Sequence, residues 1–262
     1  MRAALLPLLL GLAAAGCASP RAMREPAGPS VSVLTWNLNW GMPAPDAAVE
    51  AIREADADVV CLQEVTPEWE ALLSRALRTP YPHVLFRSGQ AASGLAILAK
   101  RPLREIAFIP SPAGWFPAHI VRAETAVGPV QVLNVHLRPA VNDRGSFSPG
   151  VYAFKNPGIH KEEIDAFLAR RDPDLPAIVV GDMNEGPDGA AVGLLERRGF
   201  QNALPKFQPG AYTWRQPTSV GTIGKAIDHI LYASPLDALS ARVLDRGGSD
   251  HLPVIAVFEL KK

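Results

Sequence analysis

From Val31 onward, short apolar runs that favour β-strands alternate with segments whose apolar residues recur at helical spacing. The strand-like runs are VSVLTWN, ADVVCLQE, HVLFR, GLAILA, WFPAHIVRAE, VQVLNVHL, PAIVVGD, AIDHILYA and HLPVIAVFEL. The helical patterns are DAAVEAIREA, PEWEALLSRAL, HKEEIDAFLARR and GAAVGLLERRG. Several strands follow one another through short connections, as at Ala126–Pro129, rather than through helices. The pattern therefore predicts a mixed-sheet α/β sandwich in one domain, residues 31–262.

The composition is typical of a folded domain and does not indicate a general affinity for polyanions. Of the 262 residues, 48% are hydrophobic and 20% are charged, and the formal net charge is zero. Without residues 1–30, which contain three Arg and one Glu, the formal charge is −2. A surface that coats nucleic acid with positive charge is therefore not expected, although a local basic patch is still compatible with these numbers.

The first residues have the build of an export signal. Arg2 precedes an apolar run, Ala3–Ala15, which is too short to span a bilayer. The stretch LAAAGC resembles a bacterial lipobox, with Ala14 in place of the commoner Leu, and Cys17 would become lipidated. The alternatives are a signal cut elsewhere and an unprocessed anchor.

We therefore expect residues 1–17 to be a lipoprotein-type signal peptide and residues 18–30, which are rich in Pro and small residues, to be a flexible tether. The protein would be exported and membrane-anchored, in the outer rather than the inner membrane, and otherwise periplasmic or secreted. Cys61, in an apolar run, is predicted to lie in the core.

Polar residues collect at the ends of the apolar strands: Asn37, Glu64, His136, Asp182, Asn184, Asp228, Asp250 and His251. Because unpaired carboxylates are costly inside a strand, acids at these positions are either turn formers or parts of one convergent site. Taken singly, each has an ordinary structural interpretation, such as the GDMN turn or a helix-capping Glu64.

The order of the motifs favours a shared site. TWNLN, LQE, NVHL, GDMN, IDHI and SDHLP occur in that sequence, and together they resemble the endonuclease/exonuclease/phosphatase superfamily. The resemblance runs from about Val31 to Leu260 and includes YTWR, which is similar to an aromatic segment of that family. It implies a four-layered sandwich of two mixed β-sheets packed face to face and flanked by helices. It also implies a hydrolase that splits a phosphodiester or phosphomonoester with a water activated by a divalent metal and an Asp.

The resemblance implies Mg²⁺ as the cofactor, with Mn²⁺ or Ca²⁺ as alternatives, because carboxylate and carbonyl oxygens suit hard cations. Glu64 would be the main ligand, with Asn37 beside it and Asp250 closing the sphere. Asn39 stands where some members of the family have an acid, which predicts weaker metal binding or a single metal.

The catalytic residues implied by the resemblance are His136, Asp182, Asn184, Asp228 and His251. Asp182 resembles the water-activating base, and Asn184 would hold the water or a phosphate oxygen. His251 would donate to the phosphoryl oxygen while Asp228 orients its ring. His136 would contact a phosphate oxygen or assist the leaving group. His229 is predicted to be structural.

The substrate is the least constrained feature, since the family cleaves DNA, RNA and lipid phosphoesters with one constellation. The connection after His136 should border the site, and in it Arg138, Arg144 and Lys155 are candidate substrate-binding residues. The same connection carries aromatic residues that could stack on a base or touch acyl chains, unless they pack beneath a solvated loop. The near-neutral charge favours a small or lipid-borne phosphoester. The protein is expected to be a monomer.

Two alternatives stay open. One is a secreted or surface endonuclease of the deoxyribonuclease type, with nucleic acid as the partner. The other is a catalytically silent binding lipoprotein, which would be expected to lack some of the site residues, although none is missing.

Overall fold

A computed structural model describes residues 19–141 and 144–261. The signal peptide and Cys17 predicted above lie outside these residues. The strands are β1 (Val31–Asn37), β2 (Val59–Gln63), β3 (His83–Arg87), β4 (Leu95–Ala99), β5 (Leu103–Ile109), β6 (Ala118–Thr125), β7 (Gly128–His136), β8 (Ala177–Asp182), β9 (Phe200–Asn202), β10 (Trp214–Thr218), β11 (Gly221–Lys225), β12 (Asp228–Ala233), β13 (Leu236–Val243) and β14 (Val254–Leu260). The helices are α1 (Pro45–Ala55), α2 (Pro67–Ala76), α3 (Asn156–Leu168), α4 (Ala190–Arg197) and α5 (Leu204–Phe207).

The strands form two sheets of six and a separate hairpin. The first sheet has the order β13-β14-β1-β2-β4-β3 and the second has the order β5-β6-β7-β8-β12-β9, while β10 and β11 pair with each other. Each sheet is mixed: β1 and β2 run parallel, as do β7 and β8, and the other neighbours are antiparallel. The predicted fold class is confirmed.

Three apolar clusters explain why the sheets stack with helices outside them. The inner faces of both sheets meet in one cluster, which includes Val33 and Ile97 from the first sheet and Val132 and Ile230 from the second. The outer face of the first sheet packs on α1 and α2, and that of the second packs on α3 and α4. Strands covered on both sides must be apolar throughout, as VVCLQ in β2 is. Cys61 is buried there, as predicted.

The start of α2 shows how local sequence turns the chain out of the sheet. Pro67 occupies the first turn, where its missing N–H costs nothing, and the hydroxyl of Thr66 accepts a 3.4 Å hydrogen bond from the N–H of Trp69. Trp69 is fully buried against the sheet, so the chain that leaves β2 is held close to the strand end. This geometry keeps Glu64, between β2 and α2, at the edge of the sheet.

Some elements were not expected from the sequence. Strands β5, β9, β10, β11 and β13 lack the continuous apolar runs of the buried strands, and the β11 residues are all exposed. The connection after β7 is also partly helical: a π-helical turn, Val151–Lys155, leads directly into α3, which begins at Asn156 rather than near His160.

The segment that precedes β1 contains no helix or strand over residues 19–30, yet part of it packs on the domain. The backbone N–H groups of Arg21 and Arg24 donate to the carbonyls of Lys206 and Leu239, at 2.7 and 3.0 Å. The guanidinium of Arg21 donates two hydrogen bonds to Asp237, which lower the pKa of that carboxyl. The flexible tether predicted for residues 18–30 stays a prediction. Among the described residues, no helix is both long enough and apolar enough to span a membrane.

Candidate active site

The predicted polar residues meet at one edge of the sandwich because the strands that carry them end or begin there. In the first sheet, Asn37 pairs with Gln63 at the ends of the parallel strands β1 and β2. In the second sheet, His136 pairs with Asp182, and Asp182 pairs with Asp228 on β12. Residues opposite each other on neighbouring strands lie on the same face of a sheet, so His136, Asp182 and Asp228 are brought together by register.

Asn37 connects the two sheets at this edge. Its side-chain nitrogen donates to Oε1 of Glu64 at 2.9 Å and to Oδ2 of Asp182 at 3.1 Å. Its side-chain oxygen accepts the backbone N–H of Asn39 at 3.0 Å. The amide nitrogen, rather than the oxygen expected of a metal ligand, therefore faces the carboxylates. In this arrangement Asn37 holds Glu64 and Asp182 in place.

Glu64 lies just past β2 with a left-handed backbone, φ +61°, which is uncommon for a residue with a side chain. Its Oε2 accepts the backbone N–H of Trp40 at 2.9 Å, while Oε1 accepts from Asn37. The side chain is half-buried, so it remains open to the solvent side of the site. Each carboxylate oxygen carries one hydrogen bond and retains a lone pair for a cation or water.

Asp182 is buried at the centre of the site. Its Oδ2 lies 3.5 Å from Nε2 of His136 and 3.7 Å from Nε2 of His251, and its Oδ1 accepts the backbone N–H of Asn184 at 2.9 Å. Burial raises the pKa of Asp182, and Asp228 adds to this effect, while the neighbouring His251 and His136 oppose it. A carboxylate with a raised pKa is a stronger base than an ordinary one and is suited to accept a proton.

The two imidazoles that flank Asp182 have different charge states. Burial lowers the pKa of His136 to about 4, so this ring is neutral at neutral pH. Burial also disfavours charge on His251, but the carboxylates of Asp228 and Asp182 outweigh it and raise the pKa to about 10. The site therefore combines one neutral imidazole with one imidazolium cation.

His251 is held from several sides. Its Nδ1 lies 3.0 Å from both oxygens of Asp228, and its backbone carbonyl accepts the indole N–H of Trp36 at 3.0 Å. The hydroxyl of Thr213 donates to Asp228 at 2.6 Å and accepts the backbone N–H groups of Ile227 and Asp228. The predicted pairing of Asp228 with His251 agrees with these contacts. The YTWR motif does not single out Thr213, because a lone Thr beside aromatic residues carries no distinctive sequence signal.

Aromatic stacking positions His136. Its ring is stacked on Phe116, with the centroids 4.2 Å apart, and Phe116 meets Trp115 edge to face. The guanidinium of Arg138 lies 4.9 Å from the centroid of Trp115. This row of four side chains forms one wall of the site.

Asp250 directly precedes His251 in the chain but is exposed and has different partners. Its Oδ1 accepts from the side-chain nitrogen of Asn39 at 2.9 Å and its Oδ2 accepts from the indole of Trp214 at 3.0 Å. Although burial acts in the opposite direction, the charge of His251 and the hydrogen bond from Asn39 lower the pKa of Asp250. Asp250 is therefore an anion at the exposed rim of the site.

Two buried amides connect the sheets directly behind these residues. The side-chain nitrogen of Gln63 donates to Oδ1 of Asn134 at 2.7 Å and to the hydroxyl of Thr35 at 3.1 Å. The nitrogen of Asn134 donates in turn to the carbonyls of Leu62 and Ala96. All of these groups are buried, so the pair fixes how the two sheet edges align.

Gly181 allows β8 to approach β7 beside Asp182 and His136. Its φ is +142°, and a Cβ at this position would lie 1.8 Å from the carbonyl oxygen of Val135. Only glycine fits such a close approach of two backbones. The contact sets the separation of Asp182 from His136, which follow Gly181 and Val135 directly along the two strands.

The remaining predicted residues lie beside this cluster in different ways. Asn184 has φ +51°, and its side-chain nitrogen donates to the carbonyl of Leu137 at 3.0 Å. Arg138 is only 6% exposed, so its side chain contributes to the wall rather than to the open surface. Arg144 and Lys155 are exposed. His229 is buried and hydrogen-bonds Asn202 and the carbonyl of Glu185, as expected of a structural residue.

Two sets of side chains have donor chemistry that suits a cation. Asp182, Asp228 and His251 each offer one atom, all within 4.8 Å of one another, and this buried group could hold a metal ion. A metal there would compete with the proton that Asp228 holds on His251. Glu64 and Asp250 instead offer carboxylate oxygens on the open side of the site, which is the donor type that hard divalent cations prefer.

Comparison with known proteins gives a consistent result for fold and family. No curated protein matches the chain. A solved endonuclease/exonuclease/phosphatase from Beutenbergia cavernae DSM 12333 matches with a TM-score of 0.72 and 20% identity, over 89% of this chain and 72% of that one. TDP2 from D. rerio, complexed with single strand DNA product, matches at 0.68 and 17%, over 88% and 99%. An AP endonuclease from Archaeoglobus fulgidus matches at 0.67 and 20%, over 88% and 100%.

At these identities the solved structures agree with the two-sheet fold alone. A family model is more specific, because it matches residues 34–251 and so includes every motif from β1 to His251. The chain belongs to the Endonuclease/Exonuclease/phosphatase family.

Proposed function

We propose that this protein is a divalent-metal-dependent phosphoesterase that hydrolyses a small or lipid-borne phosphoester. The observation that carries the proposal is the pair of imidazoles on the buried Asp182, whose Oδ2 lies 3.5 Å from Nε2 of His136 and 3.7 Å from Nε2 of His251. Burial lowers the pKa of His136, and nearby carboxylates raise the pKa of His251, so one ring is neutral and the other is charged. Hydrolysis of a phosphoester needs a base for water and a cation for the phosphoryl oxygens, and this arrangement offers both.

The roles of the side chains follow from their charge states. Asp182 accepts a proton from the attacking water, which Asn184 orients from the next turn of the chain. His251 donates a hydrogen bond from Nε2 to a phosphoryl oxygen, while Asp228 and Thr213 hold its ring. His136, being neutral, can donate from one nitrogen to the leaving oxygen or to Asp182. Asn37 keeps Asp182 aligned with Glu64 across the two sheets.

Mg²⁺ is the cation we propose, since Glu64 and Asp250 are hard oxygen donors, and Mn²⁺ or Ca²⁺ would suit the same atoms. When bound, the cation would neutralise phosphoryl charge and lower the pKa of a coordinated water. Asn37 holds Glu64 through its side-chain nitrogen, and its role as a further ligand stays a prediction. Asn39, which is neutral and donates to Asp250, leaves the site with less negative charge than an acid would.

The test is a screen of the purified full chain with added Mg²⁺, Mn²⁺ or Ca²⁺ against plasmid DNA, RNA, lipid phosphodiesters, inositol phosphates and a chromogenic diester. Asp182→Ala and His251→Ala should each lower kcat by on the order of a hundredfold. Glu64→Gln should mainly raise the metal concentration that gives half-maximal rate. Glu196→Gln, at the exposed end of α4, is the control.

Three outcomes separate the alternatives. Full activity in excess chelator would contradict the metal dependence. Cleavage of plasmid DNA at the rate of a dedicated nuclease, with lipid and small phosphoesters untouched, would favour the surface endonuclease. No hydrolysis under any condition would favour a binding lipoprotein.

A further inference from the structure

Exposed apolar side chains are concentrated at the edge of the sandwich that carries the candidate active site. More than half of the eleven large apolar side chains that are exposed among the described residues lie there, including Trp40, Phe147, Tyr152, Phe154, Val220 and Ile223. We propose that Trp40, residues 144–161 and residues 212–227 form a docking surface for a bilayer of anionic lipid. The proposal goes beyond the proposed hydrolysis, because binding to a lipid surface does not require it.

The β10–β11 hairpin is fixed at its base and exposed along its length. At the base, the backbone N–H of Arg215 donates to the carbonyl of Asp250 at 2.9 Å. Every residue from 216 to 225 is exposed, and the two strands pair with each other rather than with either sheet. Val220, in the turn between them, is 96% exposed. The hairpin therefore extends outward from the site and carries an aliphatic side chain at its tip.

The connection after β7 supplies the aromatic part of the docking surface. Phe147 is 61% exposed and Phe154 is 86% exposed, although large aromatic side chains usually gain stability from burial. Lys225 of the hairpin lies against this connection, with its Nζ 5.5 Å from the ring centroid of Phe147 and 5.1 Å from that of Tyr152. The hairpin and the connection are therefore in contact and present one continuous surface.

These two segments are basic in a chain whose formal net charge is zero. Residues 144–161 and 212–227 contain five Lys or Arg residues and no Asp or Glu. One of the five, Arg215, pairs with Asp245 at 2.7 Å, while Lys155 and Lys225 are exposed. A surface that is both apolar and basic matches a bilayer of anionic lipid, because the hydrocarbon accepts the apolar groups and the charged headgroups attract the cations.

The aliphatic side chains of the hairpin distinguish a bilayer from a nucleic acid. Val220 and Ile223 have no ring to stack on a base and no donor for a phosphate, so a nucleic acid would gain little from them. A bilayer would gain from both, because the transfer of apolar surface from water into hydrocarbon is favourable.

The docking surface is separate from the N-terminal segment. Strand β14 begins just after His251, and Arg24 contacts Glu259 near its other end, with Nη2 3.8 Å from Oε1. A strand of seven residues is about 20 Å long, so the two regions lie at opposite ends of the sandwich. A probe on the hairpin can therefore distinguish lipid binding by this surface from lipid binding by the predicted anchor.

The first experiment places a reporter at the tip of the hairpin. The purified full chain with Val220→Trp is mixed with vesicles of phosphatidylcholine alone or of an equimolar mixture with phosphatidylglycerol. Each vesicle contains brominated lipid, which quenches tryptophan, and a chelator prevents metal-dependent hydrolysis of the lipid. The emission of the added tryptophan, measured as the difference from the unmodified chain, should be quenched by the anionic vesicles and not by the neutral ones.

Further substitutions in the Val220→Trp chain test the apolar and the basic contributions separately. Ile223→Asp should weaken binding to the anionic vesicles by about tenfold or more, because an isoleucine side chain no longer enters the hydrocarbon. Lys155→Gln and Lys225→Gln should each weaken it about fivefold, since each removes one cation near the anionic headgroups. Vesicle titrations of the quenching measure both effects.

Two control variants match these substitutions outside the docking surface. Val84→Trp places the same reporter at an exposed apolar position of the edge strand β3, and its emission should not differ between the two kinds of vesicle. Lys261→Gln removes an exposed lysine just past β14 and should leave the quenching of the Val220→Trp chain unchanged. Equal responses of the two reporters, or no quenching at the hairpin by anionic vesicles, would overturn the proposal.

A single-stranded oligonucleotide is the third ligand in this experiment. It should not change the emission of the Val220→Trp chain at the ionic strength used for the vesicles. A change with the oligonucleotide but not with the anionic vesicles would assign the surface to nucleic acid and would also overturn the proposal.

A second experiment relates the docking surface to the proposed hydrolysis. Val220→Asp and Ile223→Asp should raise KM for a chromogenic phosphodiester carried in anionic vesicles, while kcat/KM for a soluble chromogenic diester stays as in the unmodified chain. An equal loss on both substrates would show that the hairpin shapes the site rather than binds lipid, and would contradict the proposal. If no phosphoester is hydrolysed yet the hairpin is still quenched by anionic vesicles, the docking surface stands and the proposed function fails.

Discussion

Nδ1 of His251 lies 3.0 Å from both carboxylate oxygens of Asp228, and both side chains are buried. The carboxylate compensates for burial and raises the pKa of His251 to about 10. The pair therefore keeps a positive charge in the interior at neutral pH.

Asp228→Asn should remove that charge. Without the anion the pKa of His251 falls, and because the charged ring is the active form, activity is present below this pKa and lost above it. We expect kcat at neutral pH to fall by on the order of a hundredfold and the alkaline limb of the kcat profile to move to lower pH. Asp245→Asn, which changes an exposed carboxylate, is the control. An unchanged alkaline limb would refute the assignment.

Asn39→Asp should strengthen metal binding and should make the metal-free protein less stable. The variant loses the hydrogen bond from Asn39 to Asp250 and places two carboxylates together. Without added metal we expect Tm to fall by a few degrees, and with Mg²⁺ we expect a larger rise in Tm than in the unmodified chain. Asn39→Ala should show the loss without the larger rise. The measurement is thermal unfolding across a Mg²⁺ titration, and equal Mg²⁺ responses in both variants would count against a cation near Asp250.

The amide pair between the sheets should make a coupled contribution to stability. Gln63→Leu or Asn134→Leu alone leaves a buried hydrogen-bonding group without its partner, which should lower the free energy of unfolding by about 1–3 kcal/mol. The double variant should cost less than the sum of the two. Denaturant unfolding of the four proteins measures this, and strictly additive losses would show that the hydrogen bond has no energetic weight.

The pair of His160 and Glu185 should make stability depend on pH. Nδ1 of His160 lies 2.8 Å from Glu185; burial opposes charge on the ring, but the carboxylate raises its pKa above the ordinary value. A raised histidine pKa stabilises the fold fully below about pH 6.5, the unfolded value, and this contribution is lost as pH rises through the folded pKa.

Glu185→Gln should therefore reduce stability most at low pH and flatten its pH dependence above about pH 6.5. Burial raises the pKa of the nearby Glu163, but Glu163 is present in both proteins, so the difference between them isolates the pair. Urea unfolding from pH 5 to pH 9 is the measurement. Parallel curves for the two proteins would contradict a charged His160.

Cys17→Ser tests the lipid anchor predicted from the signal sequence. If Cys17 is lipidated, the Ser variant lacks the thiol that carries the acyl chains on which stable anchoring depends. It should therefore leave the membrane fraction or retain its signal peptide. Fractionation and the mass of the mature protein measure this. Unchanged membrane partitioning would refute the anchor.

The sequence predicted the buried strands and the convergence of polar residues at their ends, because burial on both faces leaves a continuous apolar pattern. It did not predict the β10–β11 hairpin, whose residues are mostly exposed and carry no such pattern. The orientation of Asn37 could not be predicted either, since the hydrogen bonds of Asn39, Glu64 and Asp182 decide which end of the amide faces the carboxylates. Likewise, a lone Gln63 in an apolar strand does not reveal its partner on the other sheet.

The contact between Gly181 and Val135 has a consequence for variation at this site. Any side chain at position 181 would push β8 from β7 and carry Asp182 away from His136, so even alanine should abolish turnover while most of the domain remains folded. In a saturation library selected for activity, position 181 would tolerate no substitution, just as Asp182, Asp228 and His251 would tolerate none. Gly181, which has no side chain, would thus be scored among the essential residues. Activity of a position-181 variant could be restored only by further substitutions in β7 that make room for the new side chain.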